Sequence, residues 1–394
     1  MDIVIIANFC DDFKIINNDR FLYIANLLSE KHTVEVITSD FFHTTKKERS
    51  GDIPPSKFKI TCLHEPGYKR NVCLSRFYSH FVWGKNVKKY LEMRKHADVI
   101  YTAVPSLTAA KEASQYCKRN NIKFVIDVQD LWPEAFKMII NLPIISFLVF
   151  YPFKRIANEI YSSADLICAV SDTYVNRALK ENKKNSKGIS VYLGTNLDVF
   201  DENVKKYAKQ LNLNNKIKLA YCGTLGSSYD LPVVFDALSI LKEESIEVDF
   251  IIMGDGPRYD EFVDYARKLE LSVNFVGRIP YDKMCALLSE CDICVNPIVK
   301  KSAASIINKH ADYAASGKPV INTQISIEYK KLIEEYNMGF NCKNSLEISQ
   351  AIKKLINDKE LRKTMGYNAR KCAEEMFDRA HTYRLIVKGI ENDI

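Results

Sequence analysis

The chain has 394 residues, 47% hydrophobic and 27% charged, with a formal net charge of +7. That length suits two domains better than one core, and the composition excludes disorder and low complexity. Eleven cysteines, an odd number spread along the chain, fit reduced thiols in a cytosol better than a disulfide framework. Met1 to Ala7 reads as a first strand and not as a leader peptide. The helical pattern Phe21, Leu22, Ile24, Ala25, Leu27, Leu28 follows, and Val34–Thr38 completes a βαβ unit. Val99–Thr102, a helix near Leu107–Arg119, and Phe124–Asp127 repeat it. Leu166–Ser171, a helix from Asp172, and Gly188–Leu193 repeat it again. After residue 195 a polar, lysine-rich stretch, Asn196–Asn215, reads as a link with a short helix of its own. Five more strands follow at Ile217–Cys222, Val248–Met253, Ser272–Val276, Ile293–Asn296 and Val320–Thr323. Such alternation implies two α/β, doubly wound, Rossmann-like domains facing across a cleft, with ligands at the carboxyl ends of the strands. The expected boundaries are 1–195 and 196–376, with a last helix at about 377–394 returning to the first domain.

Charge divides the chain unevenly. Residues 1–195 carry 28 Lys and Arg against 20 Asp and Glu, and the remainder carries 28 against 29. The first half is therefore the one expected to meet an anionic surface or acceptor, or simply to present a solvated basic face. No zinc finger, RNP motif or basic helix points to nucleic acid. The apolar stretch Met138–Phe153 is about 16 residues long and interrupted by Pro143 and Pro152, too short to span a bilayer. With the aromatic and basic segment Phe147–Arg155 it reads either as an interfacial segment or as a core helix. Cys291 and Cys294 form a C-x-x-C inside an apolar strand with no second pair at zinc spacing, and are read as buried strand thiols. No metal is expected.

The chemistry concentrates in the second half. Gly223-Thr224-Leu225-Gly226 follows a strand and precedes a helix opened by Pro232, a turn that lets backbone N–H groups approach an anion. Gly254-Asp255-Gly256-Pro257 repeats the device after the next strand, and Phe275-Val276-Gly277-Arg278-Ile279-Pro280 ends the third in an extended loop. Ser305 to Val320 reads as a helix stopped at Gly317 and followed by a strand. Lys309 and Asp312 share a face of that helix. Lysine there suits a diphosphate and the carboxylate suits ribose hydroxyls, while an intrahelical salt bridge is the alternative.

Taken in order, Tyr221–Gly226, Gly254–Pro257, Phe275–Arg278 and Ala314–Val320 resemble family 4 glycosyltransferases. Leu193-Gly194-Thr195-Asn196-Leu197-Asp198-Val199-Phe200 is similar to that family's hinge signature. Asp130-Leu131-Trp132-Pro133-Glu134 is similar to the D-L-W-P-E stretch of a subgroup that builds bacterial capsule, O-antigen and other surface polysaccharides on lipid-linked acceptors. The resemblance implies a GT-B fold and a retaining, metal-independent transfer from a nucleotide diphosphate sugar, such as a UDP sugar, with no cofactor. It implies a saccharide or polyprenyl-linked acceptor and a cytoplasmic protein, peripheral at the inner face of the cell membrane. It places Lys309 near the phosphates, Asp312 on the ribose and Arg278 and Ile279 at the base, with Gly223, Thr224 and Ser305 completing the donor site. Gln129 stands where the family has a histidine, beside Asp130, and these two are the catalytic candidates. Ala304 stands where the family has a glutamate. Asn8, Asp11 and Asp12, after the first strand, are the acceptor-side candidates. Two rival readings stay open: a nucleotide-sugar 2-epimerase of related fold, and a catalytically silent nucleotide-sugar-binding subunit.

Overall fold

A computed structural model describes residues 1–13, 19–50, 53–71, 73–135, 143–207, 216–300 and 306–392. The chain divides into two compact units, Met1–Tyr192 with Ala380–Ile394, and Leu193–Arg379. The first holds a seven-stranded sheet in the spatial order Lys59–Leu63, Thr33–Ser39, Asp2–Ile6, Val99–Val104, Lys123–Val128, Leu166–Ala169, Lys187–Ser190. The second holds six strands in the order Val273–Gly277, Asp249–Met253, Lys218–Cys222, Ile293–Asn296, Val320–Asn322, Gly339–Asn341. Every neighbouring pair in both sheets runs parallel. In each sheet the first strand lies between the second and the fourth. The winding reverses there, and loops leaving the two central strands diverge to open a crevice.

The central strands are buried throughout and mostly apolar because helices cover both faces. All six residues of Val99–Val104 are buried, as are all five of Lys218–Cys222. Two helices of the first unit begin at a side-chain cap: Asp19 accepts from Leu22 N and Ser171 from Tyr174 N. The last helix, Arg379–Glu391, returns to the first unit. Tyr383, Ile386 and Ile390 are buried in that unit's core, with the Tyr383 ring edge-on to Tyr23 at 5.6 Å. Where the chain enters and leaves the second unit its two segments run side by side. Thr195 N donates to Phe377 O at 2.8 Å and Arg379 N to Thr195 O at 2.9 Å. Gly194 lies at φ +62°, where a side chain would collide with the Phe377 carbonyl.

The strand expected at Gly188–Leu193 runs Lys187–Ser190, and among the elements that the sequence reading did not place, three have a clear physical reason. Lys59–Leu63 is an edge strand with every residue exposed or half-buried, so it lacks the apolar run that marks a central strand. Gly339–Asn341 is three residues long and half-buried. Leu74–Met93 is a 20-residue helix whose buried face is Ser79, His80, Trp83, Gly84, Val87 and Leu91. Half of that face is polar or glycine, which removes the apolar period. Gly84 belongs there because a side chain would come within 2.8 Å of Ala109 N on the helix Leu107–Asn120. All eleven cysteines are free thiols, and Cys291 and Cys294 are fully buried.

Candidate functional site

In the second unit the crevice lies beyond Cys222 and Asn296, the carboxyl ends of the first and fourth strands of the sheet. Two loops frame it. Residues 226–230, after the first strand, pair with 297–299, after the fourth: Asp230 N donates to Pro297 O at 2.9 Å and Val299 N to Ser228 O at 3.1 Å. Behind them the glycine turns interlock. Gly223 N donates to Met253 O at 3.0 Å and Leu225 N to Asp255 O at 2.9 Å. Gly223 lies at φ +139°, and a side chain at Gly254 would collide with the Gly223 carbonyl. Backbone packs on backbone here, which only glycine permits, and peptide groups are brought close to anything held in the crevice.

Lys309 reaches this turn from the helix Asn308–Ala315. Its residue exposure is 7%, and its ammonium has no hydrogen-bond partner among the described residues. The Nζ sits over the rings of Tyr221 and Tyr229, 4.0 Å from each centroid, and 2.8 Å from where a Gly223 side chain would begin. The rings favour the charged form modestly. Burial without a carboxylate outweighs them and lowers the pKa to about 7. A buried cation with no anion beside it, against a turn of close-packed peptides, can accept an anionic group.

Asp312 points elsewhere. Its Oδ1 accepts from the Tyr281 hydroxyl at 2.9 Å, and that hydroxyl is 2.7 Å from Thr195 Oγ1. Burial raises its pKa to about 6, against the hydrogen bond from Tyr281 and the charge of Arg379. The two residues therefore form no intrahelical pair; the lysine is left for a ligand and the carboxylate keeps acceptor capacity on its second oxygen. Thr224 is exposed beside Gly223. Arg278 is exposed and Ile279 half-buried after Gly277, which turns at φ +78° in open space. Ser305, Ala304 and the loop 301–305 lie outside the described residues. Tyr221, Tyr229, Tyr281 and Thr195 were not legible as site residues, because their contacts join positions about 30 to 120 residues apart.

In the first unit, Gln129 Nε2 donates to Asp127 Oδ1 at 2.7 Å. Asp127 also takes Arg20 Nε at 2.8 Å and the Tyr101 hydroxyl, in full burial. Gln129 is thus held by a structural network, with its carbonyl oxygen and its second amide N–H left over. Asp130, half-buried, accepts from Trp132 Nε1 at 3.2 Å, and burial raises its pKa. Asn8 is buried: its Nδ2 donates to Glu65 Oε2 at 2.9 Å and its Oδ1 has no partner among the described residues. Asp11 and Asp12 are exposed, and Asp11 N donates to Asp19 Oδ2 at 2.8 Å. Among the described residues no group of three or more His, Cys, Asp or Glu could hold a metal ion.

Comparison with known proteins adds the following. Residues 203–372 match the model of the group 1 glycosyl transferases. An uncharacterised glycosyltransferase of Methanocaldococcus jannaschii is 25% identical over 54% of this chain and 56% of its own. Protein CapJ of Staphylococcus aureus is 24% identical over 68% of this chain and 65% of its own. The chain thus spans less than two thirds of the length of these relatives. The crystal structure of Anabaena HepE in complex with UDP superposes over 99% of this chain and all of that one, with a TM-score of 0.70 and 17% identity. That likeness shows the fold.

Proposed function

We propose, from the match of residues 203–372 to the group 1 glycosyl transferases and the GT-B fold of the chain, that this protein transfers a sugar, with retention, from a nucleoside diphosphate donor to a hydroxyl acceptor. One observation carries the reading: the buried, unpartnered Lys309 ammonium beside the Gly223 turn, at the point where the winding reverses. Lys309 meets the diphosphate with the peptide N–H group of Thr224 beside the Gly223 turn, Asp312 holds the ribose, and Arg278 and Ile279 meet the base. Ser305 belongs to the same site in this reading. As the glycosidic C–O bond to the diphosphate breaks, the departing diphosphate oxygen takes the acceptor's proton while the acceptor oxygen bonds to the anomeric carbon. Such a step needs positioning and charge stabilisation more than a side-chain nucleophile, which suits a chain with Gln129 in place of histidine. Asp130 and Gln129 orient the reacting hydroxyl, and Asn8, Asp11 and Asp12 hold the acceptor. UDP, or GDP if the base differs, is expected to stabilise the protein by about 2.7 kcal/mol at 100 times its dissociation constant, with EDTA present. A thermal shift seen only when magnesium is restored would count against this site.

The acceptor we propose is a lipid-linked saccharide of surface-polysaccharide assembly, with the first unit resting on an anionic membrane face. No helix among the described residues is long and apolar enough to cross a membrane. The segment Phe147–Arg155 supports only part of this. Phe150 is buried and Phe153 packs on Phe77 at 5.1 Å, while the side chain of Phe147 lies outside the described residues. That contact instead joins two helices whose outer faces expose Leu74, Tyr78 and Phe81 on one and Val149 and Tyr151 on the other. Exposed Lys69, Arg70, Lys89, Lys154 and Arg155 lie in the same segments. Each such cation contributes about 1 kcal/mol near an anionic surface, less with added salt. Flotation should therefore show binding to anionic vesicles over neutral ones, falling with ionic strength and with Tyr78→Ser/Phe81→Ser. Equal recovery with both vesicle types at low salt would sink the membrane proposal alone.

A further inference from the structure

Four bases gather around aromatic rings in the first unit, at the carboxyl end of its first strand. The helix Leu74–Met93 contributes Arg76 and His80, residues 41–48 contribute His43 and Lys46, and Phe9, Tyr68 and Trp132 supply the rings. The Arg76 guanidinium lies over Trp132 at 4.7 Å, Tyr68 at 5.4 Å and Phe9 at 5.6 Å. Lys46 Nζ lies over the same Tyr68 ring at 5.0 Å and 3.0 Å from His43 Nδ1, and that ring nitrogen is 2.5 Å from the Tyr68 hydroxyl. His80 stacks flat on Trp132 with centroids 5.5 Å apart and is 4% exposed.

The acids nearby are engaged. Glu65 accepts from Asn8 and from Ser79 Oγ at 2.7 Å, and Asp130 from Trp132; among the described residues neither reaches Arg76 or Lys46 as an ion pair. Arg76 Nε and both ring nitrogens of His80 are buried without a partner among the described residues. Buried polar groups left unpaired are costly, and here they are the Arg76 Nε donor, the Asn8 Oδ1 acceptor and the one donor and one acceptor nitrogen of a neutral His80 ring.

We propose that Asn8, Lys46, Arg76 and His80 form an oxyanion site that takes a phosphate, or the carboxylate of an acidic sugar, on the acceptor. Arginine and lysine supply charge, His80 and Arg76 supply buried donors, and Asn8 receives a hydroxyl. Burial and mutual repulsion lower Lys46 to about 8, His43 to about 4 and His80 to about 3, all shifts that a bound anion would oppose. The inference deepens the acceptor half of the proposed transferase, and only the word acceptor rests on that reading.

The test uses the full chain saturated with UDP, so that the Lys309 site is filled. Inorganic phosphate and glucuronate are titrated separately while the histidine ring resonances are followed by NMR. The resonances of His43 and His80 should move with one of the two anions, which identifies the group recognised. Arg76→Gln and Lys46→Met should each weaken that binding about tenfold or more. Lys46 is half-exposed, so its variant folds even if Arg76→Gln does not. No movement with either anion up to roughly 20 mM, or the same affinity in a folded variant, would overturn the site. Failure of UDP to bind in the same samples would strike the donor reading instead.

Discussion

Lys309→Met is expected to weaken nucleoside diphosphate binding about 10- to 150-fold, the roughly 1.5–3 kcal/mol of a charge-assisted hydrogen bond. Without ligand the variant should be at least as stable as the parent, because the substitution keeps the packing on Tyr221 and Tyr229 and removes a buried ammonium. The pH dependence has a definite sign. The folded pKa is about 7 against 10.5 for an unperturbed lysine, so between those values the unfolded chain binds a proton that the folded one does not. Stability from this group therefore rises with pH across that window and its cost is complete below it. The ligand selects the protonated lysine, so affinity for a nucleotide sugar should fall about tenfold per pH unit above 7. Lys309→Arg, charged throughout, should lose that slope. Calorimetry from pH 6.5 to 9 reads both effects, and unchanged affinity in Lys309→Met would remove the lysine from the site.

The second large effect is structural. Arg20→Met should destabilise the first unit by about 3–5 kcal/mol, the cost of stranding one member of a buried ion pair. Arg20 and Asp127 side chains are 3% and 0% exposed, joined at 2.8 Å. Arg20 also donates to Val191 O at 2.9 Å and Tyr192 O at 3.2 Å, pinning the end of the first unit's main segment. Arg20→Met with Asp127→Leu should recover much of the loss, since neither charge is then left unpaired. Urea denaturation of the full chain measures this. A loss under about 1 kcal/mol would show that water reaches the pair. The Gln129 amide loses its anchor in any variant lacking Asp127, so transfer should suffer where donor binding does not.

The sheets were legible because parallel strands buried on both faces leave continuous apolar runs, as at Val99–Val104 and Ile293–Asn296. The edge strands Lys59–Leu63 and Gly339–Asn341 and the helix Leu74–Met93 were not, since a half-exposed strand and a helix face carrying Ser79, His80 and Gly84 leave no such pattern. At the donor site, the glycine turns and Lys309 stood out by residue type and spacing. The tyrosines around the ammonium did not, because Tyr221 and Tyr229 meet Lys309 only after the first and fourth strands of that sheet pair. The Arg76, His80 and Lys46 cluster was invisible for the same reason, its members coming from separate segments with no local motif.

The central claim is that this chain cleaves the bond between sugar and diphosphate at the Lys309 pocket. The direct measurement is release of nucleoside diphosphate from a panel of nucleotide sugars, in EDTA, with a membrane extract as the acceptor source, by the parent and by Lys309→Met. Release from one donor by the parent, dependent on the extract and reduced at least tenfold in a folded Lys309→Met protein measured below saturation, is the predicted result. No release from any donor, or equal release by both proteins, would contradict it.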